Sequence, residues 1–268
     1  MKKLIFAVLL LCVMVAVSGC KKDEQRNNKL VVGMECDYEP FNYTETEKTA
    51  TNVPIDNVPN AYADGYDVRI AKKIADSLGL ELVVRMYQWE GLIPALNANE
   101  IDLIIAGMSD TEERRVSIDF TDPYYRSEEV VLLSANSRFA SATSINDFTG
   151  AVVIGQLGTI YADLVPQLVE KGAVAGTNLD TVPQIVNAIK QGSVDITIVE
   201  LPVAKGIVAS DSSLSYVQLN PGFAVSDSDV AVSIGIRKGY ELKDQVNQAL
   251  SQISEQERVN IMNEVISR

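Results

Sequence analysis

The order of strand and helix signals leaves this chain few folds. KLVVGM (29–34) is a short apolar run, YDVRIAKKIADSLG (66–79) sets Ile70, Ile74 and Leu78 four residues apart before a glycine suited to a helix C-cap, and LELVVRM (80–86) is apolar again. Strand, helix, strand with no hairpin turn gives parallel strands, and a parallel sheet needs helices over its faces. WEGLIPALNAN (89–99) reads as helix with Pro94 near its first turn, and IDLIIAGM (101–108) as a further strand. The alternation then repeats: AVVIGQ (151–156) as strand, TIYADLVPQLVEKG (159–172) and TVPQIVNAIKQG (181–192) as helices, VDITIVE (194–200) as strand. Two similar α/β lobes follow. DPYYRSEEVVLLSANS (122–137) lies between them, and DVAVSIGIRKG (229–239) is extended and leads into a final helix over 240–267. If that helix returns to the first lobe, the chain crosses between lobes twice, and two crossings make a hinge. TETEKTATNVPIDNVPNAYA (44–63) has no periodicity and reads as an ordered surface loop of the first lobe, with disorder as the alternative.

The first residues have a separate logic. Lys2 and Lys3 precede an apolar run from Leu4 to Val17, about 14 residues where a spanning helix needs roughly 20. A charged start, a short apolar stretch and Ser18-Gly19 before Cys20 describe a secretory signal over 1–19. Ending in VSGC, it resembles a bacterial lipobox, whose cysteine carries lipid; an ordinary signal peptide is the alternative. Residues 20–28 then form a polar tether. The remaining 249 residues of the 268 hold 21 bases, once Lys2 and Lys3 are gone, against 36 acids, a formal charge of −15. No basic tract is present, which speaks against nucleic acid as a partner.

The side chains that are missing exclude whole chemistries. Without histidine there is no Ser-His-Asp or Cys-His machinery, no His-ligated zinc and no imidazole base. No G-x-x-x-x-G-K-[ST] loop occurs, so a Walker-type nucleotide site is absent. With Cys12 in the signal and Cys20 lipidated, Cys36 has no partner for an intramolecular disulfide. Nothing calls for a cofactor or a metal.

Three strand ends stand out, GMECDYEPFNY (33–43), AGMSDTEERR (106–115) and GQLGTIYAD (155–163), and the last two share small residues, hydroxyls and a helix start. Open α/β sheets present ligand contacts from such carboxyl ends. Ser109-x-x-Glu112 has capping-box spacing, so a helix beginning there would expose N–H groups to an anion, with Arg114 one turn in and able to fork onto it. The spacing alone fits equally a cap beside a surface ion pair.

From residue 29 to 268 the chain resembles the extracytoplasmic solute-binding proteins of ABC importers for polar amino acids. The landmarks are Tyr38-x-Pro40-Phe41, Gly65-Tyr66-Asp67-Val68, Trp89-x-Gly91-Leu92-Ile93-Pro94-Ala95-Leu96 and Ile101-Asp102-Leu103-Ile104-Ile105-Ala106-Gly107-Met108-Ser109. They continue with Thr111-x-x-Arg114, Asp119-Phe120-x-Asp122-Pro123-Tyr124-Tyr125, Gly158-Thr159 and Asp195-x-x-x-x-Glu200-x-Pro202. The resemblance implies a two-lobed periplasmic-binding-protein-like fold of type II with a two-strand hinge, lobe one at 29–126 and 232–268, lobe two at 127–231. It implies that Arg114 holds an α-carboxylate with Ser109 and the backbone N–H of Thr159. Gly107, through its carbonyl, and Glu200 would take the α-ammonium, at a position where much of the family has aspartate. Tyr38 and Trp89 would flank the ligand side chain, with Glu35 and Gln156 at its far end. The implied partners are a free amino acid and a membrane permease with its separate ATPase, for a monomer held by lipid on the extracytoplasmic face.

Glu35, with Asp37 and Glu39 nearby, favours arginine or lysine; glutamine or cystine also suits a polar, aromatic-walled slot, and an acidic side chain suits it worst. A dehydratase of the same architecture and a surface adhesin or sensory input domain are the other readings.

Overall fold

The computed structural model describes residues 28–267, so the signal and lipidation readings at residues 1–27, Cys20 included, lie outside it. The first sheet runs, in spatial order, β6 (Glu81–Met86), β1 (Lys29–Met34), β7 (Leu103–Ile104), β14 (Ala231–Ile236) and β8 (Asp119–Arg126). The first three are parallel and β14 is antiparallel to both its neighbours. Because the sheet is covered on both faces, β1 is apolar at nearly every position: Leu30, Val32 and Met34 join helix α1 (Tyr66–Leu78) in one core. Val31 joins helix α2 (Leu92–Asn97) in another. Gly79, left-handed at φ 68°, caps α1 as its position suggested.

The second sheet runs β11 (Val174–Ala175), β10 (Val152–Ile154), β12 (Ile196–Glu200), β9 (Glu129–Ser134) and β13 (Leu214–Val217), with β9 antiparallel to β12 and β13. Val131 and Leu133 pack towards α4 (Ile160–Val169), while Val130 and Leu132 share a core with α5 (Val182–Lys190) and α6 (Leu201–Ser210). The chain leaves the first sheet between β8 and β9 and returns between β13 and β14. Two crossings at the base of two sheets give the expected hinge architecture.

Four expectations change. The strand expected over 101–108 is a ladder only at Leu103–Ile104, since Gly107 turns the chain at φ 61°. The final helix is two, α7 (Lys243–Ser251) and α8 (Glu255–Ile266), because Ser254 accepts a hydrogen bond from Glu257 N at 3.2 Å and starts a new helix. Segment 44–63 is ordered but not structureless: β2 (Asp37–Tyr38), β3 (Asn42–Glu45), β5 (Tyr62–Asp64) and β4 (Val53–Pro54) form an antiparallel sheet, and Ile55 bridges to Val84 on β6. Buried Asn52 ties its tip by donating to Glu45 Oε2 at 2.6 Å and the Glu47 carbonyl at 2.8 Å. Finally, Ser109 is not the cap of the helix α3 (Glu112–Ser117); Thr111 is, accepting from Arg114 N at 3.3 Å. Ser109 instead pairs in an isolated bridge with Val232, and α3 is too short to offer a dipole-based anion site.

Candidate functional site

The carboxyl ends of β1 and β7 face that of β10 across the gap between the sheets. Eight of the nine ligand-contact residues named from sequence line one small cavity there: Glu35, Tyr38, Trp89, Gly107, Ser109, Arg114, Gln156 and Thr159. Ile160 and Tyr161 complete it and were not foreseen. Their signal was available, since they open the helix that follows Thr159 and its strand end. Glu200, the ninth, ends β12 fully buried behind the wall, where the Tyr38 hydroxyl donates to its Oε1 at 2.9 Å.

The lobes are closed on one another by the site's own side chains. Besides Tyr38 with Glu200, Gln156 Nε2 donates to Glu35 Oε1 at 2.8 Å. Trp89 Nε1 donates to the Gly158 carbonyl at 2.8 Å, and Arg114 reaches the same oxygen at 3.2 Å. The cavity left between them is about 10 Å³, the room of roughly one water molecule. An amino acid enters only when these bonds part. A second chamber of about 710 Å³ lies outside, walled off by Trp89, Arg114 and Ile160, which line both.

Charges in the cavity are conspicuous for what they do not meet. Arg114 donates to two carbonyls, Ser109 at 2.8 Å and Gly158, and stacks 5.1 Å from the Trp89 ring centre. Among the described residues, no carboxylate lies within salt-bridge distance of it, and burial lowers its pKa. Among the described residues, Glu200 and Glu35 have no cation within salt-bridge distance either. Burial is the main reason that Glu200 is raised to about 8, against the opposing pull of the Tyr161 and Tyr38 phenols. Tyr161 is near enough to favour the carboxylate without completing a hydrogen bond of ordinary geometry, so its hydroxyl and Glu200 Oε2 are both buried and unpartnered. Glu35 is likewise raised to about 8, by burial first and then by Asp37, with the Gln156 bond opposing.

Thr159 is less free than expected: its N–H is bonded to the Gln156 carbonyl at 3.3 Å and its hydroxyl to the same oxygen at 2.7 Å. Tyr38 stacks on Phe41, ring centres 5.5 Å apart, so one face of Tyr38 is core. A buried network behind the cavity gives roles to landmarks that the sequence left without one. Tyr124 donates to Asp67 Oδ1 at 2.6 Å and accepts from Gly107 N at 3.2 Å; Asn42 donates to Asp67 Oδ2 at 2.8 Å and accepts from Cys36 N at 2.7 Å. It fixes the two positive-φ turns that end β1 and β7, at Cys36 (φ 62°) and Gly107 (φ 61°). At Gly107 a Cβ would sit 3.0 Å from Tyr38, so glycine also gives that ring its room.

Comparison with known proteins places this geometry. The model of the bacterial extracellular solute-binding proteins, family 3, matches residues 30–265. The arginine-binding extracellular protein ArtP of Bacillus subtilis is 29% identical over 262 residues, covering 95% of this chain and 94% of its own. A probable histidine-binding protein of Campylobacter jejuni is 31% identical, covering 83% of each chain. The crystal structure of the amino acid ABC transporter substrate-binding protein AbpA of Streptococcus pneumoniae, bound to L-arginine, superposes with a TM-score of 0.74 at 26% identity, covering 91% of this chain and 96% of its own.

Proposed function

The chain belongs to the bacterial extracellular solute-binding proteins of family 3, and we propose that it is a receptor for arginine or lysine that closes two lobes on the free amino acid and delivers it to an ABC importer. The observation that carries this reading is the set of buried ionisable groups converging on one closed cleft, none with a counter-charge among the described residues: Arg114 without a carboxylate, Glu200 and Glu35 without a cation. A zwitterion is costly to desolvate unless each end is paired and hydrogen-bonded. The α-carboxylate goes to Arg114 and Ser109, joined by Thr159 once its N–H leaves the Gln156 carbonyl. The α-ammonium goes to Glu200 and the Gly107 carbonyl, taking the place of the Tyr38 hydroxyl. The side chain runs between Tyr38 and Trp89 to Glu35 and Gln156. Arginine suits that end because two neighbouring carboxyl groups there lack a cation, and because ArtP and the AbpA complex are named for arginine.

In this reading the lobes are 29–126 with 232–268, and 127–231. The monomer is held on the extracytoplasmic face by lipid on Cys20 and works with a permease whose ATPase is a separate chain. A dehydratase would use the same raised carboxyl of Glu200 as its acid. Against that, an α-ammonium beside Glu200 keeps it ionised. Calorimetry with arginine, lysine, glutamine and cystine separates the readings. Stoichiometric heat with unaltered arginine or lysine supports the receptor, slow product formation supports the enzyme, and a preference for glutamine or cystine overturns the basic ligand. Replacing Glu35 by Gln should narrow the preference for arginine; an unchanged ranking would remove Glu35 from the specificity end.

A further inference from the structure

Two of the turns that carry ligand contacts in the first lobe are tied to the same buried carboxylate. Asp67, in the first turn of α1 and 0% exposed, accepts from the Tyr124 hydroxyl with Oδ1 at 2.6 Å and from Asn42 Nδ2 with Oδ2 at 2.8 Å. Each donor passes the hold one step further: the Tyr124 hydroxyl accepts from Gly107 N at 3.2 Å, and Asn42 Oδ1 accepts from Cys36 N at 2.7 Å. Neither N–H belongs to a strand ladder, since β1 ends at Met34 and β7 at Ile104. Both sit at the cavity instead: Gly107 lines it, and Cys36 stands between Glu35 and Tyr38, which line it too. The Gly107 carbonyl is fixed from its other side as well, because the Met108 carbonyl accepts from Ser233 N at 3.0 Å. Tyr124 is itself held, its ring stacked on Tyr66 with centres 5.9 Å apart and its carbonyl accepting from the Tyr66 hydroxyl at 2.9 Å. Among the described residues, no cation lies within salt-bridge distance of Asp67.

The branch point requires a carboxylate. An ionised carboxyl group accepts at both oxygens and donates nothing, so it holds two donors at once, whereas an amide in its place would turn an NH2 group toward one of them. Asn42 could not answer by flipping, because its own NH2 would then face Cys36 N; Tyr124 would have to accept twice and donate to nothing. A buried charge without a counterion is costly, and two satisfied N–H groups alone would need only neutral acceptors. We propose that Asp67 is a positioning residue for ligand recognition: through Tyr124 it sets the Gly107 carbonyl for the α-ammonium, and through Asn42 it sets the turn from which Glu35 and Tyr38 reach the ligand side chain. Asp67 itself lies outside the cavity lining. The two arms share only this carboxylate, so loosening one degrades recognition of one end of the ligand. The inference rests on the receptor reading of the preceding section, which puts the ligand on these residues.

The test is titration calorimetry of the full-length chain with three probes: arginine, its analogue lacking the α-amino group, and citrulline, its neutral isostere. Burial raises Asp67 to about 6, so pH 8 keeps it ionised throughout. Tyr124→Phe should weaken arginine about tenfold and the analogue by less than about threefold, as the loss of one oriented hydrogen bond to a charged group requires, with the arginine-to-citrulline ratio kept. Asn42→Ala should do the reverse, narrowing the arginine-to-citrulline ratio about tenfold while the arginine-to-analogue ratio holds. Asp67→Asn should degrade both ratios; where it does not fold by circular dichroism, the two single-arm variants decide. A purely structural network would move all three probes together. Equal falls for every probe in the folded variants, or unchanged affinities, overturn the positioning role and leave the receptor standing. A parent that binds neither arginine nor lysine, or binds the analogue as tightly as arginine, overturns the site reading itself and the inference with it.

Discussion

Tyr124→Phe removes one oxygen from a fully packed site, and the structure says what should follow. The Tyr124 hydroxyl, in a side chain 1% exposed, donates to Asp67 at 2.6 Å and accepts from Gly107 N at 3.2 Å. Without it a buried carboxylate loses a charge-assisted hydrogen bond, worth about 1.5–3 kcal/mol, and a buried N–H goes unmade, at about 1–3 kcal/mol. The two losses share one neighbourhood, so roughly 3–5 kcal/mol together is the expectation. pH gives a sharper check. Burial raises Asp67 to about 6 from 3.8, with Tyr124, Asn42 and Gly107 opposing. A carboxyl whose folded pKa is raised stabilises the fold in its protonated form: that contribution is complete below the unfolded value and is lost as pH climbs through about 6. Phenylalanine withdraws a bond that favours the ionised form, so the folded pKa rises further and the variant suffers most where Asp67 is charged. Urea unfolding followed by far-UV circular dichroism at pH 5 and pH 8, parent against variant, isolates this, since every other titrating group is common to both. The deficit should be larger at pH 8 by about 1 kcal/mol or more. A total loss under about 1 kcal/mol, or equal losses at both pH values, refutes the argument that this network carries buried charge.

Arg114→Ala should weaken amino-acid binding by about 2–5 kcal/mol, the cost of stranding one member of a hydrogen-bonded charge pair, while melting temperature hardly moves; calorimetry that finds affinity within threefold of the parent removes Arg114 from the carboxylate site. Asn52→Ala should destabilise the first lobe by roughly 1–3 kcal/mol, because Asn52 closes the 45–52 turn with hydrogen bonds that no other side chain replaces, and amide exchange across 44–63 should accelerate while ligand affinity holds. Cys20→Ala should release the protein from membranes or halt its processing, measured by fractionation; a variant that stays membrane-bound and is normally cleaved removes lipidation as the anchor.

What the sequence disclosed about the fold was whatever had a period. Apolar β1 and the four-residue repeat of α1 both carry their burial in their spelling, and the βαβ order then fixes parallel pairing between β1 and β6. What lacked a period was misread: 44–63 pairs through two- to four-residue strands, too short for alternation to register. The break between α7 and α8 was spelled in Ser254-x-x-Glu257, but an apolar pattern continuing on both sides hid it. At the site, strand ends and hydroxyls located the cavity wall. The family resemblance, rather than spacing, assigned the roles. The work of Asp67 was beyond reach because it depends on Tyr124 and Asn42 lying beside it, a matter of tertiary distance.

In the proposed receptor, the buried ionisable groups without counter-charge would also let closure report occupancy. In the closed cleft, Tyr38 with Glu200 and Gln156 with Glu35 hold the lobes together through neutral donors, each worth about 0.5–1.5 kcal/mol net, or up to about 3 kcal/mol where the acceptor is charged. Opening returns all four groups to water, so these bonds bias the two states only weakly. A zwitterion between Arg114 and Glu200 changes the comparison, because in the open form it touches one lobe while in the closed form both of its charges are matched. The shift in population equals that difference in affinity and nothing more. A side chain that also neutralises Glu35 adds to the difference in the closed form alone. On this argument the residues that select the ligand are the same residues that drive closure, and a ligand with the wrong side chain should bind to one lobe yet leave the cleft open.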